Sequence, residues 1–163
     1  MSGQRFRIAP ATAADVPLIL AFIRELADYE RLSHAVSATE EQLRETLFGA
    51  DPAASVLIAR VDGAPAGFAL YFRNYSTFLA RPGLYLEDLF VRPDYRRLGI
   101  GRALLATLAR QAVASGCGRL EWSVLDWNEP SIRFYRQLGA TALDDWTVFR
   151  LTGEAIVALS NQD

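Results

Sequence analysis

Two short stretches hold residues whose types and spacing could do chemistry. The first is RRLGIGRALL, residues 96–105. Gly99 and Gly101 stand two apart, Arg96 and Arg97 come just before, and a helical apolar pattern follows directly. The first amides of a helix are unpaired donors at the positive end of its dipole, so a glycine turn that opens a helix can cradle a phosphate. No Gly-Lys-Ser/Thr follows, which excludes a Walker loop. Position 104 is Leu, where a dinucleotide fingerprint has its third glycine. By itself such a turn is equally a packing device. The second stretch is WNEPSIRFYRQLGA, residues 127–140. Asn128 can cap a helix or bond a ligand through its amide. Tyr135 lies seven residues on, on the same helical face as Asn128 and Ser131. Phe134 and Tyr135 also suit a helix core, and periodicity leaves both readings open.

The elements that must position these residues can be read along the chain. Arg5 to Ala9 alternate as a first strand. Thr12 then caps a helix with Asp15 near its positive end, and Val16, Ile19, Leu20, Ile23, Leu26 and Ala27 form its apolar face. Thr39 and Gln42 repeat the capping pattern before a short helix with Leu43 and Leu47. Ser55–Val61 and Ala66–Tyr75 read as a hairpin about Asp62-Gly63. Arg81-Pro82-Gly83 breaks the chain, and LYLEDLFV, residues 84–91, is apolar enough for a central strand. Its adjacent acids Glu87 and Asp88 fall on opposite faces by strand alternation, so one of them can be simply solvated or paired.

A helix from about Gly101 to Ser115 is expected to bury Ala103, Leu104, Leu108, Ala112 and Val113 and to stop at Gly116. Arg119–Leu125 reads as a strand. A helix then runs from Asn128, with Pro130 in its first turn, to Gly139. One more strand, about Trp146–Leu151, and a short helix, Glu154–Leu159, complete the chain. Strand–helix–strand crossovers in the second half make neighbouring strands parallel. The expectation is one α/β domain over residues 1–163, core about 5–152, around a mixed sheet.

Composition narrows the function classes. With 163 residues, half of them apolar, the chain suits one domain with a real core. A net charge of −2 argues against a general nucleic-acid binder, which needs a basic face. One cysteine, Cys117, and one histidine, His34, exclude an internal disulfide and Cys- or His-rich metal sites, and no metal is expected. Arg92 and Arg102 read as solvated. No run approaches the length needed to span a bilayer and the first residues lack a signal-peptide core, so a cytoplasmic location is expected.

The arrangement Arg96-x-x-Gly99-x-Gly101 after LYLEDLFV, followed by NEPSIRFYRQLGA, resembles the GCN5-related N-acetyltransferases. Within them, YLEDLFVRPDYRRLGIG and DWNEPSIRFYRQLGA look most like the diamine (spermidine/spermine) and thialysine acetyltransferases. RIAPATAADVP and ELADYE carry the likeness to the N-terminal region. The resemblance implies a mixed sheet of six to seven strands with four to five helices, splayed between the strands ending near Val91 and Leu125. It implies acetyl-CoA as cofactor: the backbone of Leu89, Phe90 and Val91 for the pantetheine arm, Arg96, Arg97, Leu98, Gly99, Ile100 and Gly101 for the pyrophosphate, and Asn128, Ser131 and Tyr135 beyond. Acetyl transfer to a primary amine follows, with Glu87 as base, directly or through water, and Tyr135 as acid. Tyr29, Glu30, Glu87 and Trp122, on a strand with Glu121 and Ser123, match positions near the amine, and Asp145 is a further substrate carboxylate. The likeness also implies a homodimer, with a small amine rather than nucleic acid or membrane as partner. The hairpin RVDGAPAG and the Asp144-Asp145 segment are shorter than in the animal diamine enzymes, which bears on acceptor choice. Acetylation of a protein N-terminus or lysine is the alternative. A non-catalytic acetyl-CoA-binding module is disfavoured, because Glu87 and Tyr135 are both present.

Overall fold

The computed structural model describes residues 6–162, which form two compact units divided after Leu125. The first unit holds β1 (Phe6–Pro10), α1 (Val16–Tyr29), α2 (Glu40–Phe48), β2 (Ser55–Val61), β3 (Ala64–Ser76), β4 (Arg81–Val91), α3 (Ile100–Ala114) and β5 (Leu120–Trp122). The second holds α4 (Glu129–Gln137) and α5 (Gly153–Ser160). Arg5, expected to open β1, lies outside the described residues.

Local signals act as expected. The Thr12 N–H donates to the Asp15 carboxylate at 2.9 Å, and the Thr39 N–H to Gln42 at 3.0 Å, closing the starts of the first two helical segments. Asp62 and Gly63 both have positive φ, as the tight β2–β3 hairpin requires. The five strands stand in the order β1-β2-β3-β4-β5, antiparallel except for the parallel β4–β5 pair. The sheet is mixed, as expected, but five strands stand among the described residues where six to seven were expected.

Alternation along the strands separates two cores. Val56, Ile58, Phe68 and Phe90 join Val16, Ile19, Phe22 and Leu26 of α1 and Leu43 and Leu47 of α2. The Phe22 and Phe68 rings stack at 5.1 Å. Leu57, Ala59, Ala69, Leu84 and Leu86 are buried outside that cluster, and α3 packs on β2, β3, β4 and β5.

Four sequence expectations are corrected. The chain breaks at Thr77–Ala80, where Ala80 has φ 50°, and not at Arg81-Pro82-Gly83. Pro82 is tolerated as the second residue of β4, where its carbonyl accepts the Gly118 N–H at 2.9 Å. Val113 is 81% exposed, and Ile100 and Leu105 are buried instead, because Val113 lies one residue past the stripe that Leu104, Leu108 and Ala112 define. β5 spans three residues rather than Arg119–Leu125, since β4 offers it a ladder only as far as Leu86. Trp146–Leu151 forms no strand. The second unit contains no strand to pair with it, and alternating apolar residues become a strand only through a ladder.

Candidate active site

The site grows from an irregularity in β4. Tyr71 of β3 pairs with Leu86, but Leu70 pairs with Asp88, so Glu87 is the extra residue of a β-bulge. The bulge changes which residues share a face. Tyr85, Asp88 and Phe90 stand opposite Phe72, Leu70 and Phe68, alternating residues on the α1 side of β3. Leu84 and Leu86 stand opposite Arg73 and Tyr71, on the other side. Glu87 has no partner in this register and is exposed, whereas Asp88 falls on the face that α1 covers.

Burial pushes the Asp88 carboxyl up to about 6, and the charges of Glu87 and Glu30 add to the effect. Burial also raises Glu30, which caps α1 just after Tyr29. Glu87 itself is exposed. At this same point β5 stops: its last pair is Trp122 with Leu86. From Glu87 to Val91 no strand of the described residues pairs with the outer edge of β4, which is the expected splay. Ser123, just past β5, hydrogen-bonds the Tyr85 hydroxyl at 2.7 Å.

Beyond Val91 the turn Pro93–Tyr95 leads to the glycine loop. Arg97 has φ 65° and Gly99 φ 82°, and the latter is the N-cap of α3. Two left-handed residues two apart turn successive backbone N–H groups inward, an anion-binding geometry. A Cβ added at Gly99 or Gly101 would meet nothing within 4 Å, so the space above the loop is open to a ligand. Arg92, expected to be solvated, instead grips Glu25 through two hydrogen bonds of 2.8 and 2.9 Å. Those bonds raise its already high pKa. The Arg96 side chain donates from Nε to the Val91 carbonyl at 2.9 Å and lies over the rings of Tyr29 and Phe90.

In the second unit the Asn128 Oδ1 accepts the Ser131 N–H at 3.4 Å, so Asn128 does cap α4. Tyr135 is half-buried, its ring 5.6 Å from that of Phe134. Asp145 is exposed in a turn.

A family model described as the acetyltransferase (GNAT) family matches residues 20–140, which run from α1 through α4. The chain belongs to this family. It is 40% identical to a thialysine N-epsilon-acetyltransferase of Bos taurus, over 95% of this chain and 97% of that one. It is 37% identical to an L-ornithine N5-acetyltransferase of Arabidopsis thaliana, over 94% of this chain and 87% of that one. Its backbone superposes on an integron cassette protein of V. cholerae with a TM-score of 0.81 and 26% identity, covering 98% and 100% of the two chains. The protein is thus a GNAT-family acetyltransferase. Two features of this GNAT enzyme escaped sequence reasoning. The burial of Asp88 is one, because the bulge that sets its face leaves no local signal in LYLEDLFV. Arg92 was read as solvated because its partner lies 67 positions earlier in the chain.

Proposed function

We propose that this enzyme moves an acetyl group from acetyl-CoA to the primary amine of a small cationic acceptor, of the diamine or thialysine-like class. Both relatives above are named for a side-chain nitrogen of an amino acid. The observation that carries the reading is a coincidence on β4. The bulge, the end of β5 pairing and the Asp88–Glu87–Glu30 carboxylates fall together, one short strand segment ahead of the glycine loop.

The residues present fit coenzyme A. The left-handed positions at Arg97 and Gly99, the open space over Gly99 and Gly101, and the free edge of β4 suit a diphosphate followed by an extended polar arm. Amides from Arg96 to Gly101 would hold the diphosphate, and the backbone of Leu89, Phe90 and Val91 would hold the arm. Acetyl-CoA supplies the acyl group as an activated thioester.

The chain's own residues do the rest. An alkylammonium has a pKa of about 10.4 and must lose a proton before it can attack. Carboxylates attract it, and the Glu87–Asp88 pair takes that proton directly or through water. A backbone N–H near Phe90 holds the acetyl oxygen as it gains charge. The leaving CoA thiolate takes a proton, the role that the family resemblance gives to Tyr135.

Acetyl-CoA and a panel of amines test this, with CoA thiol release and product mass as readouts. Acetylation of ornithine, thialysine, putrescine or spermidine is expected. Turnover confined to peptide N-termini or lysines would overturn the small-amine reading, and no CoA release with any amine would overturn the reaction.

A further inference from the structure

Two arginines four apart, Arg92 and Arg96, bracket the turn after β4, and they engage two side chains four apart on α1, Glu25 and Tyr29. Residues 22, 25 and 29 share one helical face. Arg92 is the inner fastening: besides its two bonds to Glu25, it donates to the Pro65 carbonyl at 3.1 Å and lies 4.8 Å over the Phe22 ring. Arg96 is the outer one. Its Nε bonds the Val91 carbonyl at 2.9 Å, and its Cζ sits 5.1 Å from the Tyr29 ring centre and 5.8 Å from that of Phe90.

We propose that the Arg96 side chain is an acceptor-positioning group: it fastens Tyr29, and with it Glu30, over the Asp88 face of β4, rather than serving as a cation for the diphosphate. The idea rests on the acceptor site described under the proposed function. Tyr29 is the last residue of α1, and Arg31 already turns away with φ 62°. Backbone bonds close the helix end, from the Glu30 N–H to the Leu26 carbonyl at 2.9 Å and from the Leu32 N–H to the Ala27 carbonyl at 2.7 Å. The ring of Tyr29 is the side-chain attachment beside Glu30, whose charge acts on Asp88. A planar guanidinium can stack on two rings and still direct Nε–H at a carbonyl, which a lysine ammonium cannot do. The Nε–H of Arg96 is taken up by the Val91 carbonyl and its guanidinium carbon lies over two rings.

The proposal separates lysine from glutamine at this position. Arg96→Lys keeps the charge and loses the stack and the Nε bond, whereas Arg96→Gln loses all three. If Arg96 positions the acceptor, both variants and Tyr29→Leu raise the KM for ornithine by about tenfold with kcat nearly unchanged, a loss of ground-state binding. The Tyr29→Leu/Arg96→Lys double variant is no worse than either single one, because both act through one contact. The Kd for acetyl-CoA, measured by calorimetry, stays within about twofold in all of them. The Arg96 Nε–H resonance of the wild type is protected from solvent exchange, and Tyr29→Leu removes the protection. A wild-type KM in Arg96→Lys, with an acetyl-CoA Kd at least about tenfold weaker in Arg96→Gln, overturns the proposal and makes Arg96 a diphosphate ligand. An unprotected Nε–H in the wild type overturns it as well. Failure of the wild type to acetylate any small amine removes the acceptor reading itself, a result distinct from either.

Discussion

From Leu84 to Leu86, β4 has a strand on each side, β3 antiparallel and β5 parallel; from Asp88 to Val91 it pairs with β3 alone among the described residues. The first half is packing. Leu84 and Leu86 are 5% and 2% exposed, and their backbone is used on both edges. The second half carries a carboxyl pushed up to about 6 and an edge with no strand beside it. One inserted residue, Glu87, divides the two. A sheet saturates its backbone donors and acceptors by pairing, so it can offer them to a ligand only where pairing stops. The candidate site is not added to the fold. It is the part of a core strand that the neighbouring strand leaves.

The largest effect that would sharpen this contrast is in the paired half. Leu86→Ala should cost about 3 kcal/mol of stability, read by urea unfolding. A loss under about 1 kcal/mol would place the packing energy elsewhere.

Asp88 tests the open half. Its pKa is raised from 3.8 to about 6, so the folded state keeps a proton that the unfolded chain releases. This group costs nothing below the unfolded value; stability then falls as pH rises from 3.8 to about 6, and is lower by about 3 kcal/mol above that. Asp88→Asn should flatten that slope and cut turnover by roughly 100-fold at neutral pH. Denaturation midpoints across pH and a pH–rate profile read the two effects. Wild-type turnover in this variant would remove Asp88 from the chemistry.

Two glycines give the smallest and most direct test. A Cβ at Gly67, opposite Val91, would lie 2.6 Å from the Phe90 carbonyl oxygen, a backbone atom of the open half. A Cβ at Gly83 would lie 2.4 Å from Asn74 Oδ1, a side-chain atom that can rotate away. Gly67→Ala should weaken acetyl-CoA binding by about tenfold, while Gly83→Ala leaves it alone and lowers stability by about 1 kcal/mol. Equal effects on binding would erase the division of β4.

Much of this was legible locally. Thr39 with Gln42, Asp62-Gly63, Gly116, Asn128 with Pro130, and Gly139 each act through residues within a turn of one another, and each lies where its type predicts. The glycine loop was legible for the same reason, since left-handed backbone at Gly99 needs no distant partner. What failed depended on something far along the chain. Trp146–Leu151 has strand composition, but a strand exists only as half of a ladder. Leu120–Trp122 ended early because its neighbour bulged. Arg92 found Glu25, and Arg96 found Tyr29.

The order of helices and strands as far as α4, the loop before α3 and the motifs that mark the family were thus determined by the sequence itself, because capping, turn and glycine preferences are short-range. Tertiary structure alone decided that Glu87 is an unpaired bulge residue, that Asp88 lies on the face that α1 covers, and that two arginines hold α1 to the end of β4. Register, burial and ring stacking join residues dozens of positions apart, and only the assembled sheet determines which of them meet.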